Sequence, residues 1–387
     1  MIQKMIKVTM IKNNFASLIG SFYFFYFAIV AVHIIFIPKV LSDVGYSASE
    51  IGIIFASAPL VRFILPFLFI RGLELSVKIF NSALFLMITS SLVIYFGLYN
   101  FWILLFANIT LGIGLGLILP YVEVIALESI GKERYGKIRL FGSIGFVLVA
   151  LVLVKFLSTP QTALLYLIAM IFMTIIFAYT IAHLEHHDKK NVDVSDVEKE
   201  PVAILRDWSL WLGLILMQVS FGAFYNFFTI YETGHGISLD FTIYLWSFGV
   251  LAEIVMLYFQ APLLRKNLLV ILQITTGFTA LRWFVLFLFP ENLTLLFTSQ
   301  AIHALSFALF HSAAISYLYF RYQNKKLAQQ FFAGICYGMG GFLGAIGAGY
   351  IYEYIPNILF LVASGIALLS TIFLYWFYRN VSVQKGF

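Results

Sequence analysis

Ionisable side chains interrupt several long apolar stretches of this 387-residue chain, and they are its candidate functional groups. A charge inside a lipid-spanning segment costs a few kcal/mol, so such groups pair with one another or line a water-filled cavity. A carboxylate in an apolar cavity beside an arginine can bind a proton and release it when the arginine moves. The residues of this kind are His33, Arg62, Glu123, Arg139, Glu253, Arg282, His303 and His311.

Proton coupling is the chemistry that one subset of these residues suggests. Glu253, Arg282 and His303 together have the parts of a switchable proton carrier. His311 follows His303 by eight residues, which on a regular helix places the two rings two turns and roughly 80° apart. That separation disfavours a shared metal ion, and we expect neither a metal nor a cofactor. We therefore assign coupling to Glu253, Arg282, His303 and His311; the alternative is that each only joins helices.

A second subset of side chains could form ion pairs or contact a solute. A loop of about ten residues joins the predicted spans that carry Glu123 and Arg139, so the two can form an ion pair. Arg62 and Glu253 occupy equivalent positions of an internal repeat with opposite charge, and a pair between them would satisfy both. Polar and aromatic side chains of neighbouring segments could contact a solute, although ordinary packing is an equal alternative for the tyrosines. The candidates are Glu123, Arg139, Arg62, Gln218, Tyr225, Asn226 and Tyr26.

Composition shows what must position these groups. Of the residues, 62% are hydrophobic and only 11% charged, and the chain contains 42 Phe. Typical soluble domains have about 25% charged residues, because they need a polar surface. This excludes a soluble enzyme, a disordered chain and a nucleic-acid-binding protein, and predicts an all-α integral membrane protein. The single cysteine, Cys336, lies in an apolar stretch and is expected to be a small buried hydrophobe.

Twelve apolar segments are long enough to cross a bilayer, which takes about 20 residues. Of the 24 Lys and Arg residues, 19 fall on one side if the N-terminus is cytoplasmic, and only Lys39 and Lys155 fall outside. The positive-inside rule then places both termini in the cytoplasm. The first segment is too long for a signal peptide, and we expect an uncleaved helix. The predicted transmembrane helices cover residues 14–41, 50–70, 77–99, 101–127, 138–158, 160–183, 207–234, 239–262, 268–289, 292–320, 328–350 and 356–379.

A polar segment divides the chain into six plus six helices. We predict six-helix bundles at 1–183 and 207–387, joined by a cytoplasmic linker at 184–206, whose histidines are expected to be solvated. SEIGIIFASAPLVR (49–62) aligns with DFTIYLWSFGVLAE (240–253), and FGSIGF (141–146) with YGMGGF (337–342). The offsets of 191 and 196 residues indicate two six-helix pseudo-repeats, with chance similarity of Gly-rich helices as the alternative.

Several signatures are missing from the sequence. It contains no GxxxxGK[ST], HExxH or GxSxG motif, which disfavours direct ATP hydrolysis, a membrane protease and a lipase. Paired charges suit alternating access better than an open pore. A membrane-embedded enzyme remains only a remote alternative.

YGKIRLFGSIGF (135–146) resembles a signature of the phenylpropionic acid transporter-like branch of the major facilitator superfamily. YLWSFGVLAEI (244–254) resembles helix 8 of that branch, LRW (281–283) helix 9, and the histidine pair helix 10. Gln218, Tyr225 and the Ile230–Tyr231 pair resemble helix 7. The plan is also similar to the lactose permease family of proton symporters.

The resemblance implies a major facilitator fold and a proton-coupled uptake symporter in a bacterial inner membrane. Its partners would be a small-molecule substrate, protons and the lipid bilayer, without nucleic acid, and the protein would be monomeric. The branch implies an aromatic monocarboxylate of phenylpropionate type; the alternative is a sugar or a nucleoside. By position, the permease family implies that Glu123 and Arg139 bind substrate and that Glu253, Arg282 and His303 couple protons.

Two departures from the family pattern qualify these roles. Ser306 stands where the permease family has a helix-10 acid, so the proton must use Glu253, a histidine or Glu123. The loop IRGLELSVK (70–78) is a degraded form of the major facilitator loop between helices 2 and 3, which contains a characteristic Gly and Asp.

Overall fold

Twelve long apolar helices make up most of the part of the protein that the structure describes. The computed structural model describes residues 2–71, 76–130, 132–188, 202 and 204–384, and over these residues it contains helices and no strand. Of the described residues, 90% are helical. The predicted all-α membrane fold with twelve spans is confirmed. In chain order, spans 1 to 12 are Phe15–Asp43, Ala48–Leu68, Val77–Phe96, Phe101–Ala126, Ile138–Phe156, Pro160–Leu184, Trp208–Gly234, Leu239–Phe259, Leu268–Leu288, Leu293–Arg321, Leu327–Tyr354 and Pro356–Ser382.

One compact unit comprises residues 1–40 and 72–195. Within it, span 1 packs against spans 5 and 6, and span 3 packs against span 4. Span 1 therefore presents its aromatic residues to span 5, which carries Arg139. The helical elements of this unit are Ile2–Ala31, Val32–Phe36, Ile37–Asp43 (which crosses residue 40), Val77–Phe96, Phe101–Ile130, Lys132–Phe156 and Pro160–Asp188.

A second unit comprises residues 41–71 and 196–387, so it includes span 2. Span 7 packs against spans 11 and 12, span 9 against span 12, and span 2 against span 11. The proposed domain limits at 183 and 207 stay a prediction, and most of the predicted linker lies outside the described residues. The helical elements are Ala48–Ile70, Trp208–Gly234, Leu239–Phe259, Ala261–Leu264, Leu268–Leu288, Leu293–His303, Ala304–Leu309, Phe310–Arg321, Lys325–Phe331, Phe332–Gly340, Gly341–Tyr354, Pro356–Ile358 and Leu359–Gln384.

Equivalent turns precede spans 2 and 8. Gly45 and Gly236 adopt φ values of 101° and 84°, a region that favours glycine because it has no Cβ. Two residues later, the hydroxyl oxygens of Ser47 and Ser238 accept hydrogen bonds from backbone N–H groups in the first turn of the following helix. Both pairs are separated by 191 residues, the offset of the predicted repeat, so this local geometry supports duplication.

Glycines allow close helix contacts inside each unit. A side chain at Gly145 of span 5 would collide with the backbone of Phe24 in span 1. A side chain at Gly222 of span 7 would collide with the backbone of Gly344 in span 11. The hydrophobic effect does not drive helices together in lipid, so these close contacts stabilise helix packing through dispersion forces.

Three helices contain π-helical segments, at Val32–Phe36, Ala304–Leu309 and Phe332–Gly340. A π-helical turn uses i→i+5 hydrogen bonds, so each residue advances less around the helix axis than in an α-helix. The segments lie in spans 1, 10 and 11; those of spans 1 and 11 include His33 and Tyr337, and that of span 10 directly follows His303. They therefore change which side chains share a helix face.

A buried polar cluster ties the start of span 7 to the end of span 10. The Asp207 carboxylate accepts hydrogen bonds from Nε and Nη2 of Arg321 at 2.9 and 2.8 Å. It also accepts one from the Tyr322 hydroxyl at 2.8 Å, which in turn accepts from Trp211 Nε1 at 2.9 Å. We call Asp207, Arg321, Tyr322 and Trp211 the Asp207 clamp. It holds together the two helices that carry Tyr225 and His303.

Candidate functional site

Arg282 lies at the centre of a polar cluster in the second unit. Span 9 carries it, and its side chain is fully buried. Its Nη1 donates to His303 Nδ1 at 2.9 Å and to Ser306 Oγ at 3.3 Å, while Nη2 donates to Gln300 Oε1 at 2.8 Å. All three acceptors belong to span 10, so the cluster locks the guanidinium between two neighbouring helices.

Aromatic rings replace water around the Arg282 charge. The guanidinium carbon lies 4.3 Å from the centroid of the Phe224 ring and 4.4 Å from that of Trp283. Ring faces attract a cation, and the attraction strengthens when water is excluded. Arg282 Nε is buried without a hydrogen-bond partner. The guanidinium is therefore a fixed cation in an aromatic surrounding, with three of its five N–H groups donated to span 10.

The hydrogen bond from Arg282 determines the tautomer of His303. A guanidinium can only donate hydrogen bonds, so His303 Nδ1 must accept and carries no proton. The remaining proton of the neutral ring is then on Nε2, which lies 3.8 Å from Glu253 Oε2. The Glu253 side chain is 16% exposed, more than the side chains of His303 and Arg282. Glu253 is thus the member of this group best placed to exchange a proton.

A stack of rings extends from His303 along span 10. The His303 and Phe307 rings are 5.4 Å apart and nearly parallel, and Phe307 and His311 follow at 6.2 Å. The expected separation of roughly 80° on a regular helix is wrong here, because the π-helical segment Ala304–Leu309 intervenes. His311 Nδ1 forms a 2.6 Å hydrogen bond with the Tyr337 hydroxyl of span 11. The two histidines consequently share one face.

Tyr225 connects span 7 to the same cluster. Glu253, Arg282 and Arg62 all lie close enough to act electrostatically on its hydroxyl. Arg62 itself, in span 2, is exposed over more than a third of its surface. The structure thus brings Glu253, Arg282, His303, Tyr225 and Arg62 into one electrostatic neighbourhood.

Two predicted binding residues of span 7 have local contacts. Asn226 Nδ2 donates to the carbonyl oxygen of Gly222 at 2.8 Å, one turn earlier in the same helix. Gln218 is buried beside Gly340 of span 11. Neither side chain is among the hydrogen-bond partners of Arg282. Their roles in binding stay predictions.

A second candidate cluster lies within the first unit. The expected ion pair is present, with Arg139 Nε 3.8 Å from Glu123 Oε1, and each side chain is about a third exposed. The Arg139 guanidinium lies over the rings of Phe27 and Tyr23, at 3.9 and 5.1 Å. Charge, hydrogen-bonding capacity and aromatic surface therefore meet at the start of span 5.

Two polar residues of span 1 join it to span 4. The Tyr26 hydroxyl donates to the carbonyl oxygen of Leu115 at 3.2 Å. His33 Nε2 lies 2.9 Å from Asn108 Oδ1, with which it forms a hydrogen bond. The hydrogen bond satisfies a ring nitrogen of His33, as expected of a polar residue that packs between two helices. The Tyr26 bond is likewise a helix-to-helix contact, and its substrate role stays a prediction.

Sequence reasoning missed several members of these clusters. Gln300 precedes His303 by three residues, so the two side chains lie on the same helix face, and this spacing could have identified Gln300. Tyr337 and Phe27 carried no distinguishing signal among 22 Tyr and 42 Phe residues. Glu232, an acid within a predicted span, was visible in the sequence. The structure places it apart from the Arg282 hydrogen bonds, and its surroundings are described below.

Comparison with known proteins identifies the family to which this fold and site belong. The model of the MFS_1 like family matches residues 17–376. The chain belongs to the MFS_1 like family. It is 23% identical over 367 residues to the "Probable 3-phenylpropionic acid transporter" of Escherichia coli strain K12, covering 89% of this chain and 93% of that protein. It is 25% identical over 256 residues to "Uncharacterized transporter YwbF" of Bacillus subtilis strain 168, covering 62% of this chain and 61% of that protein.

Solved structures show the same fold. The nucleoside transporter NupG superposes with a TM-score of 0.76 at 15% identity, over 95% of this chain and 99% of NupG. An auto-inhibited POT family peptide transporter superposes with a TM-score of 0.70 at 9% identity, over 95% of this chain and 96% of that one. The MFS_1 like protein is a multi-pass membrane transporter of the major facilitator type.

Proposed function

We propose that this transporter carries a small organic anion into the cell together with protons, by alternating access. The substrate class that we favour is an aromatic monocarboxylate of the phenylpropionate type. The relative from Escherichia coli whose name includes 3-phenylpropionic acid supports this choice.

The observation that carries the proposal is the surrounding of Arg282. A guanidinium presents donors in a fork that matches a carboxylate, and here three acceptors of span 10 hold it in place. Phe224 and Trp283 lie against it, so a carboxylate reaching this arginine would bring its own ring next to aromatic faces. This combination suits an acid with an aromatic ring.

Charge balance explains why a proton would accompany the anion. With His303 neutral, ionised Glu253 and Arg282 together carry no net charge, and Arg62, the other cation of this neighbourhood, is exposed and solvated. Adding a substrate carboxylate would leave one uncompensated negative charge in a water-poor site, which is costly. A proton on Glu253 removes that charge. Binding of the anion and binding of the proton therefore favour each other.

The membrane arrangement that we propose follows the charge asymmetry of the loops. Residues 1–183 and 207–387 form the two halves, and the 184–206 linker and both termini face the cytoplasm. We propose a monomer in a bacterial inner membrane. Cysteine labelling from either side of the membrane, at the linker and at Glu291, tests this orientation.

A sugar or nucleoside is the second candidate substrate, and the Glu123–Arg139 cluster favours it. A carboxylate there could accept hydrogen bonds from hydroxyl groups while Phe27 and Tyr23 stack on a ring. A neutral substrate would use this cluster without needing a second positive site.

Internal pH in proteoliposomes tests the proposal. Phenylpropionate, lactose and a nucleoside are added in turn, and empty liposomes run in parallel because weak acids cross lipid unaided. Protein-dependent acidification with phenylpropionate supports proton symport of an aromatic acid. Acidification with lactose or the nucleoside alone overturns the substrate class, and counterflow of any substrate without acidification overturns coupling.

Replacing the proposed proton carrier separates coupling from binding. We expect Glu253→Gln to abolish accumulation against a gradient while retaining exchange, because the amide cannot release a proton. Glu291→Gln, an exposed site between spans 9 and 10, is the matched control. Uphill uptake at the wild-type level in Glu253→Gln removes Glu253 as carrier.

A further inference from the structure

Span 7 contains a buried carboxyl group outside the clusters described above. Glu232 has no exposed surface, and both of its carboxyl oxygens lack a hydrogen-bond partner. Buried polar groups in folded proteins are hydrogen-bonded in the great majority of cases, so this residue requires a physical reason.

The residues around this end of span 7 are aromatic. The Tyr231 ring lies 4.2 Å from that of His235 and 4.8 Å from that of Phe360 in span 12. Phe227 stacks on Tyr352 of span 11 at 5.3 Å. Ring contacts therefore join this end of span 7 to spans 11 and 12, while the Glu232 side chain itself is fully buried.

The titratable neighbours do not stabilise an ionised Glu232. Tyr231 is close enough to interact electrostatically with Glu232, and Tyr352 interacts in turn with Tyr231. His235 donates through Nδ1 to the carbonyl oxygen of Tyr231 at 2.8 Å. Asp240, in the first turn of span 8, is exposed. An ionised carboxylate here would be desolvated without a counter-charge, so the neutral, protonated form is favoured.

Helix geometry links Glu232 to the Arg282 cluster. Glu232 follows Tyr225 by seven residues, which places both on one face of span 7 with a rise of roughly 10 Å between them. Thr229 lies between them on that face, and its hydroxyl accepts from Trp246 Nε1 of span 8 at 3.1 Å. Because the Glu232 carboxyl makes no hydrogen bond, it does not stabilise the present conformation. A role in another conformation of the transport cycle accounts for an acid at this position.

We propose that Glu232 is a second proton-binding carboxyl of the transporter, loaded in the conformation described here and deprotonated when the cycle exposes it to water. The proposal rests on the proposed symport of an anion. One proton on Glu253 balances one substrate carboxylate, so a second proton on Glu232 adds one net positive charge per cycle. Transport then responds to membrane potential as well as to a pH gradient.

Potential-driven uptake in proteoliposomes tests this role. A potassium gradient with valinomycin sets an interior-negative potential at equal pH on both sides, and accumulation of labelled phenylpropionate is measured. A potential of about 60 mV is expected to raise wild-type accumulation about tenfold, since one charge moves per cycle. Glu232→Gln is expected to lose this response and keep uptake driven by a pH gradient. Glu291→Gln is the control, and Glu232→Asp should restore the response to potential.

The outcomes distinguish this proposal from the proposed function. Wild-type uptake driven by a pH gradient but insensitive to potential overturns the role of Glu232 and leaves symport intact. A wild-type response to potential that survives in Glu232→Gln also overturns it. If no anion moves at all, the proposed function fails, and infrared difference spectra then decide about Glu232 alone. At neutral pH the carbonyl band of a protonated carboxyl should disappear in Glu232→Gln; no such loss means that Glu232 is ionised and the proposal is wrong.

Discussion

Replacing Asp207 by Asn should separate spans 7 and 10 at the end where the linker enters. Asp207 is 2% exposed and bonds Arg321 through two atoms, at 2.8 and 2.9 Å. Removing one partner of a buried ion pair costs about 3–5 kcal/mol. Arg321 remains 27% exposed and can regain water, so the lower limit applies. We expect Asp207→Asn to lower the free energy of unfolding by about 3 kcal/mol.

Denaturant unfolding in detergent measures this loss. Tyr322→Phe is the matched comparison, because it removes a single 2.8 Å hydrogen bond from the same carboxylate and should cost about 1 kcal/mol. If the free energy of unfolding of Asp207→Asn lies within about 0.5 kcal/mol of the wild-type value, the loss is far smaller than expected and the reasoning is wrong.

The Asp207 clamp also predicts a pH dependence. Burial acts to raise the pKa of Asp207, but hydrogen bonds from Arg321, Arg206 and Tyr322 outweigh it and hold the pKa below its ordinary value of 3.8. A depressed pKa in the folded state stabilises the protein above the unfolded value, and this stabilisation disappears as pH falls through the folded value. The difference between wild type and Asp207→Asn should be constant at neutral pH and shrink below about pH 4. A difference that shrinks already at pH 6 contradicts the assignment.

Two further substitutions test the candidate sites. Gln300→Leu leaves Arg282 Nη2 buried without its acceptor at 2.8 Å, and should lower the free energy of unfolding by about 2 kcal/mol in the same denaturant assay; unchanged stability would show that Gln300 does not hold the arginine. Arg139→Lys keeps the charge but loses the planar group over Phe27, and should weaken substrate binding about tenfold, measured as KM in counterflow. An unaltered KM would leave Arg139 with a structural role alone.

Twelve helices were predictable from the sequence because the reasons for them are local. A stretch of about 20 apolar residues must satisfy its backbone hydrogen bonds internally in lipid, and a helix does so within the segment. The pairing of Glu123 with Arg139 was also predictable, since a short connection keeps the ends of spans 4 and 5 together. Family resemblance added the expected roles of Glu253, Arg282 and His303, which lie on three different spans.

Tertiary structure decided how these residues meet. Gln300 and Ser306 face Arg282 because spans 9 and 10 pack at one particular rotation, which hydropathy does not specify. The stack from His303 to His311 depends on a π-helical segment whose irregular hydrogen bonds are stabilised by packing against other helices. The burial of Glu232 without a hydrogen-bond partner for its carboxyl oxygens likewise depends on the packing of the folded chain. Span formation depends on the hydrophobicity of each segment alone, whereas the site depends on contacts between segments far apart in the chain.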